Sequence, residues 1–456
     1  MKILFVYPPP FEDKIFSNLV YPPLGILFLA SVVREMGHDV KVFDANVLRA
    51  SFEETVNYIK EIKPDIVGIT AATANGPSTF KLAAKIKEIE PSVKIISGGP
   101  HITVAPEECL NDENIDYILV GEGEATIKEL IEALESGSDP NKVKGIGFRK
   151  GKKIIITPKR ELIHDLDLLP MPAYDLIPID KYWSPQITEF PFTSMITSRG
   201  CPYHCIFCGV QAIFGYQYRF MSAEKMFFQV QELQKKFDVK TIIFKDSEFA
   251  LRKDRIEKFC DLIIKNNVKV KWLCNARVNN MTNELLTKMK NAGCYSITYG
   301  VESGSERILT VLKKNITLNQ ARETIKLTKE VGIECAANFI LGNPTETKED
   351  IEKTINFAIE LNPDYAMFSY LVPYPGTEIH EMAAHNSWVI NDLDNVYKNS
   401  SVVMNATALT TKELSKYMKK AYFKFYFRPR FIWKTIKNLK FSDLKTKLPA
   451  LIDILK

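Results

Sequence analysis

Short apolar runs alternate with segments of helical period along most of the chain, the pattern of parallel strands wrapped by helices. In the first part, residues 3–7, 40–43, 66–70, 94–97 and 117–120 read as strands. Residues 24–36, 52–62, 79–89 and 125–134 read as the helices between them. An open sheet of this kind takes ligands outside the carboxyl ends of its strands. Gly98-Gly99-Pro100-His101 and Gly121-Glu122-Gly123-Glu124 fall at those ends. Residues 145–157 predict a hairpin, and the proline- and aromatic-rich stretch 162–191 an ordered strap. From Phe192 the alternation resumes, with strands at 192–197, 241–245, 270–275, 296–301, 334–341 and 365–371. Six strand–helix units predict a partial (β/α)6 barrel. The fold class is α/β: a doubly wound, Rossmann-like domain over 1–140, a linker over 141–191, a barrel over 192–400 and a helical tail over 401–456.

The balance of 46% hydrophobic and 25% charged residues over 456 positions excludes a disordered or low-complexity chain. The net charge of +5 is unevenly spread. Residues 412–456 hold 13 Lys and Arg against 3 Asp and Glu, so the rest is mildly acidic. No run approaches the ~18 apolar residues of a membrane-spanning helix, and no secretory signal is evident, so a cytoplasmic location is expected. The eight cysteines do not form a disulfide framework. Five of them, Cys109, Cys260, Cys274, Cys294 and Cys335, are expected in the core.

The other three sit in Ser198-Arg199-Gly200-Cys201-Pro202-Tyr203-His204-Cys205-Ile206-Phe207-Cys208, just after the first barrel strand. Thiolates at this spacing suit zinc or an iron–sulfur cluster. A zinc site needs a fourth ligand, for which His204 is the neighbouring candidate. A cubane held by three cysteines leaves one iron open. Cys201, Cys205 and Cys208, with Phe207 just before the last, resemble the signature of the radical S-adenosylmethionine (SAM) superfamily. That resemblance implies a [4Fe–4S] cluster whose open iron chelates SAM, and a 5′-deoxyadenosyl radical that abstracts hydrogen. It also implies SAM-binding roles for Phe207 and for residues at later strand ends. Arg277 would meet the SAM carboxylate, Glu302 in Gly300-Val301-Glu302-Ser303-Gly304 the ribose or amino group, and the segment holding Asn338 and Gly342 the adenine.

The N-terminal domain resembles that of the cobalamin-binding subfamily, which places Gly98, Gly99, Gly121, Glu122 and Gly123 against cobalamin. The Asp-x-His-x-x-Gly motif of axial-histidine binders is absent. C-methylation of an unactivated carbon is the outcome the resemblance favours, with ring formation or rearrangement as the same-family alternative. A non-catalytic iron–sulfur or zinc protein is the alternative from another class. A small-molecule or lipid substrate and an external electron donor such as flavodoxin or ferredoxin follow, and no nucleic acid. The aromatic, basic stretch from Ala421 to Lys434 resembles one in members acting on hopanoids and porphyrins. It predicts either peripheral membrane contact or packing of the aromatics on the barrel.

Overall fold

The computed structural model describes residues 1–11, 20–390, 402–429 and 431–432. The chain divides into two compact units. One comprises Met1–Ser184, Phe190–Pro202 and Gly209–Val239, the other Pro185–Glu189, Tyr203–Cys208 and Lys240–Lys456.

In the first unit, β1 (Lys2–Tyr7), β2 (Asp39–Asp44), β3 (Ile66–Thr70), β4 (Lys94–Gly98) and β5 (Tyr117–Leu119) are parallel, in the order β2-β1-β3-β4-β5. Both faces of this sheet are buried. Leu4, Val6, Val67, Ile69 and Ile95 face one core. Ile3, Phe5, Ile66 and Ile96 face the other, with Ile26, Ala30, Ile127 and Leu130 from the helices Leu24–Glu35 and Glu124–Ser136. Burial on both sides explains why these strands read as unbroken apolar runs rather than alternating ones.

The hairpin expected in the linker is an extension of this sheet. β6 (Ile146–Lys150) pairs antiparallel with β5 and β7 (Lys153–Ile156) with β6. Ile146 and Phe148 bury against the same core as Ile127 and Leu130, which a free linker hairpin would leave wet. Most of the strap after it, through Ser184, also belongs to this unit. Ala173 N–H donates to Leu27 O (3.1 Å), Tyr174 Oη to Ser194 O (2.6 Å) and Tyr182 Oη to Asp44 Oδ2 (2.8 Å). Burial raises the Asp44 carboxyl to about 6, against the hydrogen bonds from Tyr182, Val47 and Asn46. The first predicted barrel strand, β8 (Phe192–Met195), is present in this unit too. It is followed by a short antiparallel ladder of β9 (Ser198–Arg199) and β10 (Arg219–Phe220).

The second unit holds β11 (Thr241–Phe244), β12 (Lys271–Ala276), β13 (Cys294–Glu302), β14 (Glu334–Leu341) and β15 (Tyr365–Tyr370), each parallel to the next, with helices between. Phe244, Phe249, Phe259 and Trp272 interlock as mostly edge-on rings under β11 and β12. The five remaining cysteines are buried as expected, and burial pushes the thiols of Cys109 and Cys335 up to about 12.

The aromatic tail has a structural task. The helix Thr411–Tyr426 runs along β15, and two of its tyrosines, one turn apart, complete the strand's outer hydrogen bonds. Tyr422 Oη accepts from Phe368 N–H (3.2 Å) and donates to Phe368 O (2.8 Å). Tyr426 Oη does the same at Ala366 (3.2 and 2.8 Å). The i, i+4 rise of a helix roughly matches the two-residue repeat of a strand, so the hydroxyls meet successive outward-facing peptide groups. Phe425 fills the space between and is fully buried. Phe423 and Phe427 instead stack on each other on the exposed side. Trp433, Lys434, Lys437 and Lys440 lie outside the described residues. Among the described residues no helix is long and apolar enough to cross a membrane.

Replacing both Tyr422 and Tyr426 by Phe removes four hydrogen bonds without changing the packing. The expected loss is about 2–4 kcal/mol, at ~1 kcal/mol or less for each bond, read as a lower urea midpoint. The amides of Ala366 and Phe368 are expected to exchange faster in the same variant.

Candidate functional site

The cysteine segment is held at both ends by backbone bonds that its sequence permits. Gly200 adopts φ +81°, and a Cβ there would collide with the Gln217 carbonyl. Cys201 N–H donates to Gly215 O (3.3 Å). Farther on, Ile206 is the anchor. Its N–H donates to Leu312 O (3.2 Å), its carbonyl accepts from Ile379 N–H (3.0 Å), and its side chain sits in a core with Ile308, Leu312 and Ile340. Cys208 N–H closes a turn on Cys205 O (3.1 Å). All eight cysteines are free of disulfides, and Cys201 and Cys205 are buried. Among the described residues no group of three or more His, Cys, Asp and Glu side chains is gathered around a metal-ion position. Thiolates at the spacing of Cys201, Cys205 and Cys208, none of them in a disulfide, are a donor set suited to an iron–sulfur cluster.

Around Cys205 and Phe207 the second unit gathers a buried polar constellation. Arg277, just past the end of β12, lies over the Tyr203 ring (3.7 Å), with Nη1 3.6 Å from Cys205 Sγ and Nη2 bonded to the Lys314 carbonyl. The Lys314 ammonium pairs with Glu302 Oε1 at 2.6 Å, both side chains being 7% exposed, and lies 5.9 Å over the Phe207 ring. Glu302 ends β13 at φ +69°, beyond a register shift against β14. A non-glycine residue held in this region stores strain that recurs at ligand sites. Gly300 makes room for it, since a Cβ there would meet both the Glu302 carboxylate and the Lys314 ammonium. Asn338 lies beside Gly300 in the β13–β14 register, and its buried Oδ1 has no partner among the described residues. Arg277 Nε is likewise unpartnered. Orphaned buried groups of this kind are what a bound polar molecule would satisfy, so the residues present fit SAM.

Two buried carboxyls flank this region. Burial raises Glu248, after β11, to about 7, against an Asn280 hydrogen bond and the Arg277 and Lys314 charges. Burial also raises Glu346 to about 7, against three bonds it accepts after β14, from Gly342 N–H (2.7 Å), Asn343 N–H (3.1 Å) and Asn343 Nδ2 (3.0 Å). Gly342 (φ +86°) is therefore held by Glu346, which the sequence reading missed. Lys314 was missed as well. Nothing in the spacing marks it as the partner of Glu302, although a buried carboxylate requires a counter-charge.

In the first unit the glycines divide by task. Gly99 (φ +115°) packs its Cα side on Ala71 O, which a Cβ would approach to 2.7 Å, so it serves a tight turn. A Cβ on Gly98 would have Leu119 as its nearest neighbour, at ordinary contact, and Gly123 lies against Leu29. Gly121 (φ +86°) has open space where its side chain would be, the property a bulky ligand at the strand ends would use. Glu122 is not open. Both of its carboxylate oxygens accept from Arg219 Nη1 (2.8 and 2.9 Å), and Oε2 also accepts from Ile163 N–H (2.7 Å).

Lys314→Met would strand the Glu302 charge. The expected cost is about 3 kcal/mol in denaturant unfolding, with weaker SAM binding by calorimetry on the reconstituted protein. Raised carboxyl values also set a pH dependence. Glu346 binds its proton more tightly folded than unfolded, so its contribution is full below ~4.5 and lost as pH rises through ~7. The urea midpoint is expected to fall between pH 5 and pH 8, and less steeply in Glu346→Gln.

The sequence models of the radical SAM superfamily and of the B12 binding domain match residues 195–358 and 17–131. An uncharacterized methyltransferase of Pyrococcus horikoshii is 37% identical, over 96% of this chain and 95% of that one. An anaerobic magnesium-protoporphyrin IX monomethyl ester cyclase of Cereibacter sphaeroides is 30% identical, over 94% and 71%. The radical SAM methyltransferase TsrM of Kitasatospora setae, solved with cobalamin and a [4Fe–4S] cluster, superposes with a TM-score of 0.71 at 18% identity, covering 86% of this chain and 80% of that one. With both domains matched and a relative aligned along nearly its full length, the chain belongs to the cobalamin-binding branch of the radical SAM superfamily.

Proposed function

We propose that the protein transfers a methyl group to an unactivated carbon of a hydrophobic small molecule. The observation that carries this reading is the spacing of Cys201, Cys205 and Cys208, none of them in a disulfide, in a chain with a preceding B12-binding domain. When bound, the cluster supplies the electron that cleaves SAM to a 5′-deoxyadenosyl radical, and cobalamin supplies the methyl group. The three cysteines hold the cluster. Glu302, kept in its strained conformation by Lys314, and Asn338, with its orphaned Oδ1, take the polar groups of SAM, while Gly342 and Phe207 line its adenosyl part. Arg277 is already engaged with Tyr203 and the Lys314 carbonyl, which leaves Nε as the atom for a SAM carboxylate. Gly121, with its open side, admits cobalamin, and Gly98, Gly99 and Gly123 shape the turns beside it.

An external one-electron donor, of the flavodoxin or ferredoxin kind, and a cytoplasmic location complete the reading. A second outcome, ring formation, is favoured by the 30% identity to a cyclase. Peripheral membrane contact rests on the exposed Phe423–Phe427 stack alone. Co-sedimentation of the parent with anionic vesicles that is lost in Phe423→Ser/Phe427→Ser would support it, and a parent that does not co-sediment would remove it.

The test is anaerobic reconstitution with iron, sulfide and hydroxocobalamin, followed by SAM and a reductant. Methyl transfer predicts S-adenosylhomocysteine together with 5′-deoxyadenosine, and ring formation predicts 5′-deoxyadenosine without it. One equivalent of zinc in place of iron in anaerobically purified protein would overturn the enzyme reading.

A further inference from the structure

The cysteine segment begins next to an unusual arrangement of charge. Ser198–Arg199 and Arg219–Phe220 form the ladder that closes the base of the loop carrying Cys201, Cys205 and Cys208. In its register Arg199 stands directly opposite Arg219. Like charges opposed across an antiparallel pair repel, and these two guanidiniums are buried, at 6% and 2% exposure. Left alone, they would drive the ladder apart.

Two carboxylates from the first unit's Gly121-Glu122-Gly123-Glu124 turn prevent this. Glu122 Oε1 lies 2.8 Å from Arg219 Nη1 and 3.1 Å from Arg199 Nη1, so one oxygen bridges both arginines. Glu124 takes both Nη groups of Arg199. The four charges cancel. Arg219 also donates to Ile163 O (2.7 Å) and to Phe214 O (3.0 Å), the latter within the cysteine loop. Arg199 is itself flanked by the Phe28 and Phe214 rings. Its Cα is two residues from Cys201, and Gly200 between them is held against Gln217 O.

We propose that Glu122 is a positioning residue for the iron–sulfur cluster: by neutralising Arg199 and Arg219 together, it keeps the base of the cysteine loop closed and the first ligand in place. This rests on the reading of Cys201, Cys205 and Cys208 as cluster ligands. It gives the Gly-Glu-Gly-Glu turn a task distinct from contact with cobalamin. Gly121 faces open space, while the next residue braces the loop that carries the other cofactor's ligands.

The experiment measures iron release into a strong chelator from the full-length protein, anaerobically reconstituted with iron and sulfide. Glu122→Gln is expected to release iron about tenfold faster than the parent, because a buried positive charge is left unbalanced. In the double variant Glu122→Gln/Arg219→Gln the opposed pair is gone, and release is expected to return most of the way to the parent rate. A role in packing alone predicts no such rescue. Parent-like retention in Glu122→Gln, or a double variant as leaky as the single, overturns the proposal. Should Glu122→Gln fail to fold, Glu124→Gln keeps the bridging oxygen and is expected to release iron about two- to threefold faster. No acceleration there overturns the proposal equally. A parent protein that takes up no iron overturns the cluster reading itself, and this inference with it.

Discussion

Charge taken out of water must be balanced on the spot, and each unit of this protein meets that requirement in its own way. In the first unit, Glu122 and Glu124 meet Arg199 and Arg219 at the base of the loop. In the second, Lys314 meets Glu302, and the same lysine's carbonyl receives Arg277 beside Cys205. Neither group is a source of much net stability, since a well-packed apolar replacement of the whole set would often do as well. What each provides is direction. A buried ion pair tolerates few geometries, so it turns strand ends and loops into defined platforms.

The same logic accounts for the strain at Glu302. Its left-handed backbone is an unfavourable conformation for a residue with a side chain. It persists because the carboxylate is tied to Lys314 and because Gly300 leaves the space that the pair occupies. Glu346 does a comparable task at Gly342, where three N–H groups converge on one buried carboxylate. The strand ends of the second unit are thus organised by buried acids, each compensated in its own way.

Covering of the sheet edge is the other constraint. β15 would present a row of unpaired peptide groups, the feature that makes strands aggregate. The helix Thr411–Tyr426 satisfies four of those groups, the N–H and C=O of Ala366 and of Phe368, through tyrosine hydroxyls rather than through another strand. This divides the aromatic tail. Tyr422, Phe425 and Tyr426 belong to the barrel, and Phe423 and Phe427 to its surface.

Much of this protein was legible in the chain itself. The strands at Ile66–Thr70 and Glu334–Leu341 and the helices at Phe52–Ile62 and Lys348–Leu361 follow from apolar periodicity, because their burial is dictated by local pattern. The three cysteines were legible because ligand spacing is a local property as well. Other features were not. The hairpin Ile146–Ile156 joined the first sheet only because Ile146 and Phe148 found a core made by distant helices. Lys314 became the partner of Glu302, and Glu122 turned toward two arginines nearly eighty and one hundred residues away, because counter-charges are chosen in space. Sequence by itself determined which segments must hide from water and which thiols stand close together. Only the tertiary structure decided how the buried charges pair, since electrostatic balance is settled between neighbours that the order of the chain does not make adjacent.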